Sequence, residues 1–201
     1  MRVYSYVIEH DLGFAPNPFH GPCTLACCKP DIRKAAEIGD LIIGTGAAAT
    51  GLAKHMVYWM RVHDIIDFDR YRADPRFRSK RPDMAAPGKV ERFGDNIYGR
   101  DPLSGAFVQD FSFHSNPDGS CNEKNLKRDT GKTERILVAR DFAYFGVAAP
   151  EIPTGLRDFI KKGPGHKCRF PPDRVDAFAA WLASQPARGY IDKPTHWQFL
   201  K

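Results

Sequence analysis

No stretch of this 201-residue sequence is apolar enough to read as a membrane span. The longest near-apolar run, residues 41–53, has 13 residues and three glycines, short of the roughly 18 that a spanning helix needs. Internal repeats and low-complexity tracts are absent, which excludes solenoids and disordered tails. Cysteine is sparse: five residues, an odd number without regular spacing, give no disulfide framework and predict reduced thiols. The opening residues reach Glu9, His10 and Asp11 before a secretory core could form, so the expectation is a cytoplasmic chain. Long helical periods are also lacking. Sixteen prolines and 17 glycines break the chain into turns, which excludes a helical bundle. What is abundant is aromatic surface, with 14 Phe among 12% aromatics. A chain of this size and composition buries a core without cross-links and is expected to form one domain over residues 1–201.

The net charge of +6 is unevenly spread. Residues 70–100 carry nine basic against four acidic side chains, and residues 122–140 carry six against three. Between them, residues 101–121 hold three aspartates and no base. Two basic loops of this kind suit a phosphate backbone, because Lys and Arg release its condensed counterions on binding. Solvated loops are commonly basic as well, so charge permits a nucleic-acid partner without requiring one.

The β-branched and aromatic run at 3–8 (VYSYVI) predicts a strand. Residues 11–30 read as a long proline-rich loop, 31–37 as a short helix and 41–43 as a buried strand after a Gly39-Asp40 turn. Residues 56–68 predict a strand bent near His63-Asp64, followed by a helix or irregular excursion at 69–77. Further strands are expected at 96–98, 107–113 and 135–140, with 143–147 either prolonging the last of these or turning out of it, and a turn at 116–119 (NPDG). Helical turns are expected at 156–161. The clearest helix is 172–184, where Val175, Phe178, Ala179 and Leu182 recur at helical spacing. The tail from Arg188 to Lys201 reads as a surface strap pinned by Tyr190 and Trp197. Short strands with irregular connections point to an α+β chain: a small curved mixed β-barrel, short peripheral helices and a C-terminal helix.

Several motifs carry chemistry in principle. Gly44-Thr45-Gly46-Ala47-Ala48-Ala49 imitates the dinucleotide fingerprint, but the next aromatic strand begins near Met56. A crossover of about 10–12 residues or more does not fit there. The stretch reads as a glycine loop admitting close approach of a backbone or ligand, with a Rossmann domain as the minor alternative. Asp129-Thr130-Gly131-Lys132-Thr133 imitates a phosphate-binding loop but lacks its upstream glycine, since Leu126 stands there; it reads as a turn entering the strand at 135.

His20, Cys23, Cys27 and Cys28, with Cys121, His166 and Cys168 far away, lack a second paired motif to complete a zinc set. No metal or cofactor is assigned. Buried thiols are the commoner explanation, and the third is a reactive Cys28 near the helix beginning at Asp31, whose dipole lowers thiol pKa. Asn17-Pro18-Phe19-His20 combines a fixed backbone, a ring and polar donors, the parts needed to stack and read a flipped base. Packing of Phe14 and Phe19 against the barrel explains the same residues. The same two readings apply to Phe111-Ser112-Phe113-His114-Ser115 and to Phe142-Ala143-Tyr144-Phe145-Gly146. Alternate aromatics in a strand usually face the core.

The stretch VYSYVIEHDLGFAPNPFHGPCTLACCKPDIRKAAEIGDLIIGTG, with MVYWMRVHDIIDF, DNIYG, ILVARDFAYFG and GPGHK further along, resembles the second of the nucleotide-modification-associated domain families. The likeness spans nearly the whole chain. It implies a setting in phage or bacterial systems that modify DNA bases, or that restrict or sense such modification. The order Gly39-Asp40 turn, hydrophobic strand, glycine stretch and aromatic strand with an acidic bend also resembles barrels of the PUA, EVE and ASCH type, whose pocket accepts a modified base.

The leading expectation is therefore a nucleic-acid- or nucleotide-binding domain that recognises a modified base. Its pocket would comprise Asn17, Phe19, His20, Thr45, His114 and Tyr144, and the basic segments would hold phosphates. Partners would be DNA or a modified nucleotide, with RNA and defence-system proteins as further options and no membrane. The alternative is an enzyme acting on a nucleotide or modified base, with Cys28, His20 and His114 as nucleophile or acid/base groups.

Overall fold

The computed structural model describes residues 1–199; the last two residues of the expected strap, Leu200 and Lys201, lie outside the described residues. In chain order the elements are β1 (Val3–Ile8), β2 (Cys23–Leu25), α1 (Pro30–Ala35), β3 (Leu41–Gly46), β4 (Met56–Arg61), β5 (Asp64–Ile66), α2 (Phe68–Ala73) and α3 (Lys89–Arg92). They continue with β6 (Tyr98–Arg100), β7 (Phe107–Gln109), α4 (Glu123–Thr130), β8 (Ile136–Ala139), β9 (Phe142–Tyr144), α5 (Pro172–Ser184) and β10 (Gly189–Tyr190). Short 3-10 segments such as Pro75–Lys80 and Thr154–Phe159 lie between them. None of these helices is long and apolar enough to cross a membrane.

The chain divides into two compact units, each discontinuous in sequence. The first comprises Met1–Leu12, Ala36–His63 and the residues from Ala139 onward, and the second Gly13–Ala35 and Asp64–Val138. The long proline-rich loop and the long basic excursion thus condense into one unit of their own. The α+β class holds. Among the described residues the strands form open sheets, and no closed barrel is present.

The first unit is built on a five-stranded sheet in the order β1-β3-β4-β9-β10. β1 and β3 run parallel from Val3↔Leu41 to Ile8↔Gly46, whereas β3 and β4 are antiparallel with Ile43 opposite Trp59. Every β3 residue is buried, and burial on both faces suits its unbroken Leu-Ile-Ile start, where a half-exposed strand would alternate. The stretch expected as a glycine loop is strand as far as Gly46, with Gly44 and Gly46 paired with β1, and only its alanines leave the sheet, into a 3-10 turn at Ala48–Thr50. Gly44 lacks a side chain for steric reasons, because a Cβ there would lie 2.4 Å from the Tyr58 ring and 2.5 Å from Ile8. α5 buries Val175, Phe178 and Leu182, as its spacing predicts. Phe159 stacks on Phe170 at 4.2 Å and on Phe178 at 4.3 Å, and its carbonyl accepts from Ser5 Oγ on β1. The tail is pinned by Trp197, whose Nε1 donates to Leu12 O at 2.9 Å.

The second unit has a three-stranded sheet, β2-β8-β5, and a β6-β7 hairpin. The strand expected over 107–113 ends at Gln109, and residues 111–115 turn instead. The sequence reading missed α4 altogether. Its signals are Asn122, which caps the helix by accepting from Asn125 N, and Gly131 at its end.

Candidate functional site

In the second unit, loops too irregular to satisfy their own backbone surround a buried carboxylate. Arg33, fully buried on α1, donates through Nε to Arg135 O at 2.7 Å, and through its Nη atoms to Asp129 O at 3.0 Å and Thr133 O at 3.1 Å. It thereby clips the end of α4 to the segment that enters β8. Burial pushes the Arg33 guanidinium below its ordinary value, with the nearby thiols and Asp129 acting in the opposite sense.

That scaffold presents Asp129 on the last turn of α4, with no exposed surface. Its Oδ1 accepts from Cys28 N at 2.8 Å and from Arg128 Nε at 2.8 Å. Oδ2 accepts from Tyr98 Oη at 2.8 Å and Arg128 Nη2 at 3.1 Å, and lies 3.0 Å from His114 Nδ1. Burial by itself would raise this carboxyl. The hydrogen bonds from His114 and Arg128, and their charge, outweigh it and hold Asp129 well below the usual carboxylate range.

With Nδ1 donating to Asp129, the second nitrogen of His114 is left as an acceptor, which faces both Cys28 and Arg128 Nη2, the latter at 3.3 Å. Nε2 stands 3.7 Å from Cys28 Sγ. The imidazole is fixed from several sides: Phe14 packs against it at 4.4 Å between ring centroids, and Asn125 Nδ2 donates to the His114 carbonyl at 2.8 Å. Cys28 has φ +59°, a left-handed conformation uncommon for a residue with a side chain, and Lys29 follows at +43°. Such strain persists only where the surroundings over-determine it, as the Cys28 N–H bond to Asp129 does here. Thiol, imidazole and carboxylate thus follow one another at 3.7 Å and 3.0 Å, the order in which a nucleophile, a base and an orienting carboxylate would stand.

The helix-dipole expectation for Cys28 is corrected. Its thiol is pushed up to about 11, first by burial and then by the charge of Asp129, against the opposing charges of Arg128, Lys29 and Arg33. The resting group is a neutral thiol. Cys23 is pushed up to about 12 and Cys27 well above the usual thiol range, both mainly by burial. Cys28 is the one of the three with exposed surface.

Cys27, His114 and Asp129 also offer atoms within 4.8 Å of one another, a spacing that a metal ion could use. The Asp129 oxygens already receive five donors, against about four lone-pair positions. A cation there would have to compete with those donors for the carboxylate.

The other residues singled out from the sequence lie elsewhere. Asn17 is fully buried: its Nδ2 donates to Gly13 O and Phe93 O, and its Oδ1 accepts from Lys80 Nζ at 2.6 Å. Lys80 Nζ further donates to Asn17 O at 3.1 Å and Phe19 O at 2.7 Å, so this buried ammonium fills the loop from within. Phe19 is buried, and His20 is exposed at φ +56°. Thr45 and Tyr144 are buried in the first unit; Thr45 Oγ1 donates to Tyr6 O, and Tyr144 Oη donates to Asp11. His166 and Cys168 belong to the first unit as well. Of the expected residues, only Cys28 and His114 are brought into contact. Asp129, Arg128 and Tyr98 complete them.

A model of nucleotide modification associated domain 2 matches residues 1–201. The chain belongs to that family. The match takes in both units, so this family member carries its Cys28–His114–Asp129 cluster inside the matched region. No curated protein and no solved structure matches the chain. Membership connects the chain with nucleotide modification, and the chemistry has to be argued from the side chains.

Proposed function

We propose that this protein is a thiol-dependent enzyme acting on a nucleotide or modified base, with Cys28 as nucleophile, His114 as general base and Asp129 as the group that orients His114. The observation that carries the reading is the line from Cys28 Sγ to His114 Nε2, 3.7 Å, and from His114 Nδ1 to Asp129 Oδ2, 3.0 Å. As Sγ bonds to an electrophilic carbon of the substrate, the thiol proton passes to Nε2. The imidazolium, held by Asp129, returns that proton to the atom receiving the displaced electron pair. The family's connection with nucleotide modification supports a nucleotide as the substrate. A DNA-modification or anti-phage setting fits the same connection. The rival reading, a module that recognises a modified base without chemistry, gains little from Asn17, Phe19, Thr45 and Tyr144, because all four are buried.

The test is alkylation of Cys28 by iodoacetamide near neutral pH, followed residue by residue by mass spectrometry. Positioned general bases contribute about 10²–10⁴-fold. His114→Ala should slow Cys28 labelling within that range, and Cys27 should stay unlabelled. In the variant the rate should follow direct thiol ionisation and keep rising toward about pH 11. Equal labelling of wild type and His114→Ala, with nucleotide turnover surviving Cys28→Ser, would sink the assignment; retained affinity without turnover in the wild type would favour the recognition module.

A further inference from the structure

Residues 110–116 contradict the rule that alternate aromatics face the core. The segment is a turn held by Ser112 N to Ser115 Oγ at 3.1 Å, His114 N to Ser112 Oγ at 3.3 Å and Ser115 Oγ to Asp110 O at 3.3 Å. Ser112 and His114 point inward. Phe111 and Phe113 stand out at 53% and 45% exposed. Phe113 is braced edge-on by Phe93 at 5.3 Å and in a tilted arrangement by Phe14 at 6.2 Å, and Phe14 is the ring that packs on the His114 imidazole. A rigid phenyl ring with open surface is thus mounted on the same brace as the general base.

A second observation concerns charge. Among the described residues, Arg70, Arg72, Arg76, Arg100 and Lys132 each pair with a carboxylate of this unit. On α4, Lys124 and Lys127 are exposed and form no ion pair among the described residues. With Arg128 they occupy positions i, i+3 and i+4, which share one helix face. Arg128 already reaches Asp129 and stands 3.3 Å from both His114 nitrogens, so that face leads from solvent to the site. The open ring reaches this imidazole through Phe14, and Arg128 reaches it from the helix face that also carries the two unpaired lysines.

Resting on the Cys28 reading, we infer that the substrate is a nucleoside 5′-phosphate whose base stacks on Phe113 and whose phosphate is held by Lys124 and Lys127. Phe113 and the two lysines are specificity residues, separate from the groups that move protons. A free nucleotide and one within a single strand both offer the ring and a 5′-phosphate.

The inference is tested by equilibrium binding to the Cys28→Ser protein, so that chemistry plays no part. The probes are the four 2′-deoxynucleoside 5′-monophosphates, their nucleosides and a single-stranded oligothymidylate. Loss of base–aromatic stacking lowers affinity by about 5- to 150-fold. Phe113→Ala and Phe113→Leu should fall in that range, and Phe113→Tyr should restore binding. Lys124→Gln with Lys127→Gln should weaken the monophosphates about 2- to 30-fold and leave the nucleosides unchanged. Tighter binding of the oligothymidylate than of thymidine monophosphate identifies a strand as the source, and the reverse a free nucleotide. Absence of binding by any phosphate-bearing probe, or equal affinity in folded Phe113→Ala, Phe113→Leu and wild-type backgrounds, overturns the inference. Iodoacetamide labelling of Cys28 judges the catalytic reading separately, because it needs no nucleotide.

Discussion

The first unit hides Val3, Ile42, Ile43, Val57 and Met60 in a sheet whose ladders satisfy most of its backbone, and its buried polar residues are mostly small or at the sheet ends. The second unit, with strands of three or four residues, hides Arg33, Lys80, Asp95, Asn96, His114 and Asp129. Short strands leave carbonyls without ladder partners, and buried side chains take them up. Arg33 serves three carbonyls on two segments, Lys80 serves the 17–19 loop, and Asn96 Nδ2 donates to Tyr71 O at 3.0 Å and Phe77 O at 3.2 Å. Asp95 accepts from Tyr71 Oη at 2.5 Å and Thr24 Oγ1 at 2.8 Å. One unit is held by apolar packing on a regular frame, the other by charge inside an irregular one. The second arrangement also fixes a thiol, an imidazole and a carboxylate in line, which packing alone does not do.

If that contrast is right, the largest loss should follow from Asp129→Ala. It strips the partner from Arg128, Tyr98, His114 and Cys28 N at once, and breaking a buried charge network typically costs about 3–5 kcal/mol. Urea unfolding measures it; a loss below about 1 kcal/mol would show that the network is not what holds the unit. The pH dependence has a defined sign. Asp129 in the native state ionises below its ordinary value of 3.8, so the unfolded chain binds the proton first. Its contribution to stability is present above about pH 3.8 and is lost as pH falls through the native value. Asp129→Asn should flatten that acid limb, and parallel acid profiles for the two proteins would contradict it.

The sequence disclosed these two regions unequally. β1 and α5 were legible because period-2 and helical patterns are local, and α5 begins and ends at the expected residues. Gly44 misled because a glycine required by a neighbouring Tyr58 ring looks the same in sequence as a loop glycine. The site was legible only as residue types. Cys28 and His114 stood out, but Asp129 sits 101 residues from Cys28 and 15 from His114, and no spacing rule relates them. It appeared instead inside an imitation of a phosphate loop. Charge counting is coarse for a similar reason, since a tally of the 70–100 segment cannot tell that Arg72 is paired with Asp110 or that Arg76 is paired with Asp74.

Two smaller effects probe the first unit. Ile43→Ala, on a strand buried on both faces, should cost about 2–5 kcal/mol and leave Cys28 labelling unchanged. Gly44→Ala tests overpacking. Its Cβ would need the Tyr58 ring and Ile8 Cδ1 to retreat, which typically costs about 1–3 kcal/mol. A neutral Gly44→Ala would mean that the sheet yields more easily than close packing allows.

The smallest effect makes the sharpest comparison. Tyr6 and Tyr58 bury their hydroxyls 2.9 Å apart, with rings 6.1 Å apart in an edge-on arrangement. If this unit is held by packing, Tyr6→Phe keeps the ring and its contacts and removes one hydrogen bond, a loss of about 0.5–1.5 kcal/mol. Both units then contain buried polar contacts, but only the second depends on them. A loss approaching that of Asp129→Ala would erase the distinction. The first sheet would then rest on a polar pair as fully as the second unit rests on its carboxylate, and dependence on buried polar groups would no longer mark out the unit that holds the thiol, imidazole and carboxylate together.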